Sequence, residues 1–327
     1  MKLTKIIRFS PALFAPFFFF AFSQSAYSCD YCLLSQGISP LDTVKGTGVR
    51  VTERFSSLDS VYKGTDEIEN PGAKEEYFTT EFSGFFGVTD DLVLIANLPY
   101  KKTKLDGHLH VHSDGDAEAH PDTGEETGIG DVSLMARYTF YTSHSLEMTN
   151  TIAGVWGVKL PTGKTDGRTE DGAGFLDAHL QLGTGSTDLL VGLSFSHAHE
   201  RGSLSGNVLA AVTGDGEAGD IDHRFGNTLN YDLTGKYRAY PSSVSPAGQQ
   251  YFVALGLNGE VMGKEVEGGA EVSDSGGHKL YLTPGVQAVI GERLTIEASY
   301  HHPVYINVNG TQIVEDRKIT SGISYIF

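Results

Sequence analysis

Hydrophobic and polar residues alternate one by one along most of this chain. Leu294, Ile296, Ala298 and Tyr300 alternate with Thr295, Glu297, Ser299 and His301. Val132, Leu134, Ala136, Tyr138 and Phe140 alternate with Asp131, Ser133, Met135, Arg137 and Thr139. Successive side chains of a β-strand point to opposite faces, so each such segment has one apolar and one charged face. The pattern predicts strands over 47–62, 76–88, 92–101, 129–141, 146–160, 187–199, 204–214, 224–240, 250–263, 278–290, 293–305 and 316–327. Each has the roughly ten residues that a tilted membrane-spanning strand needs. No stretch shows a helical period.

The connections between these segments alternate in length. Residues 89–91, 142–145, 200–203, 241–249 and 291–292 form a shorter set; 63–75, 102–128, 161–186, 215–223, 264–277 and 306–315 form a longer one. Outer-membrane barrels carry short periplasmic turns and long external loops. The fold expected is an all-β, closed, antiparallel up-and-down transmembrane β-barrel of about 12 strands. Alternation by itself also fits a soluble antiparallel barrel or sandwich with the apolar face turned inward. Features outside the alternation favour the membrane. The chain ends on the aromatic Phe327, and charges stand in mid-strand on the second face.

The first residues point to export. Lys2, Lys5 and Arg8 precede the apolar run 11–22, and Ala26-Tyr27-Ser28 offers small residues at a cleavage site. Residues 1–28 read as a signal peptide. A retained anchor helix and a lipid-modified Cys29 are the alternatives. Residues 29–46 would form a periplasmic segment and 47–327 the barrel. Removing 1–28 lowers the basic residues from 24 to 21 against 41 acids, a balance near −20. That charge excludes nucleic acid as a partner, because phosphates need a basic footprint.

Several motifs then recur in a fixed order. They are Gly128-Ile129-Gly130-Asp131-Val132-Ser133-Leu134 with Arg137-Tyr138, Lys159-Leu160-Pro161-Thr162-Gly163, and Gly183-Thr184-Gly185-Ser186-Thr187-Asp188 leading into Leu189-Leu190-Val191-Gly192. Phe225-Gly226-Asn227, Gly276-Gly277-His278, Pro284-Gly285 and Asn309-Gly310 continue the series. Together they resemble the phenol-degradation MetA-pathway family of outer-membrane transporter-like barrels, over most of 76–327. The resemblance implies a transmembrane barrel and a transport role, with no substrate and no catalytic residues attached.

Three constellations could carry chemistry. In the expected loop after the third strand, His108, His110 and His112 are followed by Asp114, Asp116 and His120. Eight acids and four histidines fall between 106 and 131, with no Lys or Arg. In an extended chain His-x-His-x-His places three imidazoles on one face. Imidazoles and carboxylates suit zinc or copper, so this segment could capture divalent cations at the external mouth. The plain alternative is a solvated acidic loop.

Cys29 and Cys32 are the only cysteines. Without a second pair they cannot complete a zinc site. A disulfide is the default in an oxidising compartment, with redox or metal handling as the other reading. The segment 29–46 would also be the place for a periplasmic partner.

Arg50, Arg54, Glu81, Arg137, Lys159, Asp232, Lys236, Arg238, Glu260, Glu297 and Lys318 all fall on the polar phase of their strands. Charges are costly against lipid and reasonable in a lumen, which makes these the candidate pore-lining residues. They fit a selective pore or a plug of internal salt bridges equally well.

The function expected is an outer-membrane channel for small solutes, hydrophobic or aromatic ones included, with lipid and solute as partners. A metal-linked barrel and a structural sheath around an electron carrier are the alternatives. No enzyme is expected, since no nucleophile-elbow context accompanies a Ser, His and Asp set.

Overall fold

The computed structural model describes residues 46–111, 117–241, 248–291 and 293–327. The predicted signal peptide, Cys29, Cys32, His112, Asp114 and Asp116 lie outside them.

The described residues form β1 (Gly48–Lys63), β2 (Asp66–Ile68), β3 (Glu75–Gly87), β4 (Leu92–Val111), β5 (Ala117–Ile129) and β6 (Val132–His144). Then come β7 (Met148–Leu160), a 3-10 turn (Ala178–Leu180), β8 (Asp188–His199), β9 (Gly202–Val212), β10 (Gly216–Ala218), β11 (Ile221–Arg224) and β12 (Thr228–Tyr240). The chain continues with β13 (Gln249–Met262), β14 (Val266–Glu267), β15 (Ala270–Glu271), β16 (Gly277–Ile290), β17 (Leu294–Val308) and β18 (Thr311–Ile326).

Twelve long strands follow one another around a ring, β1-β3-β4-β6-β7-β8-β9-β12-β13-β16-β17-β18. The ring closes where β1 pairs with β18, from Gly48↔Ile326 to Lys63↔Thr311. All pairings in it are antiparallel. Closure gives every spanning strand two neighbours, which a medium without water demands.

Burial alternates with the sequence. Leu94, Leu134, Tyr138, Trp156, Leu189, Leu193, Val208, Leu233, Leu255 and Ile323 are exposed on the outside, whereas their neighbours Ile95, Ser133, Arg137, Val155, Leu190, Ser194, Leu209, Asp232 and Thr234 are buried inside. Leu134 and Tyr138 therefore do not sit in a dry interior. They belong to an outward apolar belt that suits acyl chains.

The expected loops needed correcting at the end that carries the long connections. The segment 102–128 is a tall hairpin: β4 runs on to Val111 and pairs with β5 from Tyr100↔Ile129 to Val111↔Ala117. Likewise 306–315 is mostly strand, with β17 reaching Val308 and β18 starting at Thr311. The loops 213–227 and 263–276 contribute β10, β11, β14 and β15 to a separate four-stranded sheet. Low β-propensity suggested loops here, but pairing partners override propensity when backbone N–H and C=O groups need satisfying.

Candidate functional site

The inner wall of the ring is the candidate site. Of the predicted lumen charges, Arg50, Arg54, Glu81, Arg137, Lys159, Asp232, Arg238, Glu260, Glu297 and Lys318 are buried, and Lys236 is half-buried. Arg50 is ion-paired with Glu297, and the amide of Gln287 donates to the other Glu297 oxygen at 2.9 Å. Lys318 lies 2.9 Å from Glu315, which also accepts from the Tyr281 hydroxyl at 2.7 Å. Lys159 meets Asp131 at 3.1 Å and Asp188 at 2.7 Å. Asp232 accepts from the Asn207 amide at 3.1 Å. Arg137 donates to Thr139 at 3.0 Å and Arg238 to Gln250 at 3.3 Å. Asp131, Asp188, Lys279, Glu315 and His301 are interior polar groups that the candidate set lacked. The two-residue period on their own strands was the signal that could have found them.

Sequence reasoning missed a second interior surface. Phe85, Val93, Ile95, Met135, Val155, Leu190, Leu209 and Ala211 are buried and packed together along β3 to β9, with Ile326 beside them. Most of them occupy one register row. Phe85 pairs with Ile95, Ile95 with Met135, Met135 with Gly157, Gly157 with Leu190 and Leu190 with Ala211. The row continues through Thr228, Met262, Gly277 and Val308. It starts near the short-turn end of β3 and finishes at the long-loop end of β17. Strands in a barrel are tilted and staggered, so a register row climbs as it goes round. Glycine belongs in this row for a steric reason: a Cβ at Gly157 would stand 2.5 Å from Cγ of Met135 and 2.4 Å from the Leu134 carbonyl. The lumen is thus amphipathic, with an apolar track beside ionic pairs.

The loop 161–187 reaches across the long-loop mouth. Its Leu176 and Leu180 are buried with Leu58 of β1, Tyr77 of β3, Leu105 of β4 and Ile313 of β18. β8 and β18 stand on opposite sides of the ring. Thr103 of β4 donates to the Leu180 carbonyl at 2.6 Å, and the Gln181 amide holds the loop's own backbone at Leu176 and Gly167.

Three loops then meet over one carboxylate. Oε2 of Glu265 lies 3.2 Å from Nε2 of His179 and 3.2 Å from Nε2 of His223. Both rings pack against Phe225, with centroids 5.4 and 4.6 Å away. Burial pushes the Glu265 carboxyl up, but the two imidazoles outweigh it and hold the group down at about 2. No single segment of sequence contains this cluster, so no local motif announces it.

The predicted metal ligands are divided. His108 and His110 lie on β4 and His120 on β5. The Cα of His108 pairs with that of His120, and the rings of His110 and His120 meet edge to face at 5.3 Å. Among the described residues no three His, Cys, Asp or Glu side chains converge as a metal-ligand set.

A closed antiparallel barrel with an apolar belt outside and charged side chains within is a bacterial outer-membrane β-barrel. The sequence matches the family described as "Putative MetA-pathway of phenol degradation" over residues 60–312, and the chain belongs to that family. Among solved structures it is similar to an outer-membrane channel from Pseudomonas putida F1, at 17% identity and a TM-score of 0.64, covering 89% of this chain and 100% of that one. Lower similarity links it to the transport unit of the autotransporter AIDA-I from Escherichia coli, at 11% identity and a TM-score of 0.48, covering 90% and 95% of the two chains. The toluene transporter TodX from Pseudomonas putida gives 11% identity and a TM-score of 0.36, covering 92% and 93%. No curated protein matches the sequence.

Proposed function

We propose that this protein is an outer-membrane channel for small hydrophobic or aromatic solutes. The apolar register row from Phe85 to Val308 carries the reading, because it runs between the two rims of the barrel. An ionic lumen alone would favour ions and polar solutes. An apolar track lets a nonpolar solute shed water along its path. Contact over roughly 100 Å² is worth about 2.5 kcal/mol, which draws a solute in without trapping it.

The test is solute entry into proteoliposomes holding the purified protein. The parent is compared with Leu190→Glu, which interrupts the row. Entry of a small uncharged aromatic should slow by about fivefold, the equivalent of ~1 kcal/mol, while a small polar solute keeps its rate. Equal aromatic entry in both proteins would remove the reading.

A second reading gives the β4–β5 hairpin the capture of divalent cations at the external mouth. The contact between His110 and His120 and the pairing of His108 with His120 support it. Zinc or copper would be the cation that imidazoles favour. The lumen ion pairs would then tune which solutes pass.

A further inference from the structure

The His179–Glu265–His223 cluster has no part in the solute path along the wall, yet it joins three separate connections of the chain. His179 belongs to the loop that crosses the mouth. His223 belongs to β11, between β9 and β12. Glu265 belongs to the connection between β13 and β16. Glu265 is 2% exposed and His223 is 4% exposed. The backbone N–H of Glu265 is itself held by the Ser275 hydroxyl at 3.0 Å. Beside the cluster lies a cavity of about 150 Å³, where Glu75 of β3, His108 of β4, Asp177 of the crossing loop and Glu267 of β14 face the same space. The titratable groups around Glu265 are therefore His179, His223, His108, Glu75, Asp177 and Glu267. Carboxylates are in the majority, and the imidazoles are the only cationic groups among them.

We infer that Glu265 is the latch of an external lid, held shut by protonated His179 and His223 and released when those imidazoles lose their protons. A buried carboxylate between two imidazolium rings is compensated. The same carboxylate between neutral rings, with Glu267, Asp177 and Glu75 nearby, is a buried charge without a counter-ion. Its escape to water requires the loops to part. The apolar contacts of Leu176 and Leu180 would then be broken at the mouth, and the lumen would open. Lid closure is thus favoured on the acid side of neutrality and lid opening on the alkaline side. The consequence for transport rests on the channel reading; the latch itself does not.

Hydrogen exchange of the full chain in detergent micelles tests the latch. Protection is measured at pH 6 and pH 8.5, corrected for the intrinsic pH dependence of exchange, for the parent, Glu265→Gln and Glu265→Asp. In the parent, protection over 161–187, 213–227 and 263–276 should fall by about tenfold between the two values, while the barrel strands stay unchanged. Glu265→Gln should be weakly protected in these loops at both pH values, and Glu265→Asp should follow the parent. Equal loop protection at both pH values in the parent overturns the latch, as does full loop protection in Glu265→Gln. The parent series needs no substitution, so a folding defect in a variant does not blunt it. Conductance of the same samples is read separately. Loops that loosen without any gain in conductance count against the channel reading and leave the latch standing.

Discussion

Arg50 on β1 and Glu297 on β17 form an ion pair that reaches across β18 inside the barrel, both side chains being 3% exposed. The pair therefore braces the seam where the first and last strands close the ring. Burying two charges is costly, and removing one partner leaves the other uncompensated. Arg50→Met should destabilise the barrel by about 3–5 kcal/mol, whereas Arg50→Met with Glu297→Leu should recover most of the loss. The urea midpoint of unfolding in detergent checks this. A double variant as weak as the single one would mean that the pair does not act as a unit.

Lys159 joins the wall to the crossing loop. It contacts Asp131 and Asp188, and Asp131 also accepts the backbone N–H groups of Gly163 and Thr184, both at 2.9 Å. Lys159→Met strands two carboxylates in one buried place. The expected cost is about 3 kcal/mol, with the root of the loop loosened first. Trypsin cleavage at Lys164 and Arg168 should accelerate in this variant before the barrel itself unfolds. Unchanged cleavage would detach the Lys159 network from the loop.

The lipid face is checked by neighbouring positions on β8. Leu193 is 58% exposed and Ser194 is 5% exposed. Leu193→Lys puts an ammonium against acyl chains, at about 2–4 kcal/mol near the membrane midplane. Ser194→Lys turns the same group into the lumen and should cost less. Folding yields into lipid vesicles separate the two, and equal yields would contradict the assignment of faces.

Acid has its own signature at Glu265. The folded group is held down at about 2, whereas an unfolded glutamate titrates near 4.3. Its contribution is thus complete above about 4.3 and disappears as pH falls through about 2. Loop protection should hold at pH 5 and fail near pH 2. Loss already at pH 5 would show that the carboxylate is not held by the imidazoles.

Zinc titration of the full chain tests the hairpin. At pH 7.5 calorimetry should detect binding tighter than millimolar, weakened at pH 5.5 and by His110→Ala with His120→Ala, because metal ligands must be unprotonated. Binding that survives the double substitution places any metal elsewhere.

The two-residue period made the barrel legible. Leu134 beside Ser133, or Leu193 beside Ser194, needs only strand geometry to be assigned to opposite faces. The interior ion-pair candidates followed from the same phase. The apolar row was hidden because Ile95, Met135 and Leu190 lie on the polar phase of their strands. Only the stagger of neighbouring strands puts them in line. The hairpin 102–128 was hidden by its acids and glycines, although Thr103, Leu105 and Leu109 hinted at a strand.

Alternation, charge phase and loop length are local properties of the chain, and they were enough to specify strands, ring and membrane face. A medium that tolerates no unpaired backbone leaves few other folds for such a pattern. Which loops meet over the mouth is not local. His179, His223 and Glu265 come from separate connections, and only closure of the ring brings their ends together. Long-range contacts of this kind depend on register and tilt summed around every strand, so tertiary structure alone decided them.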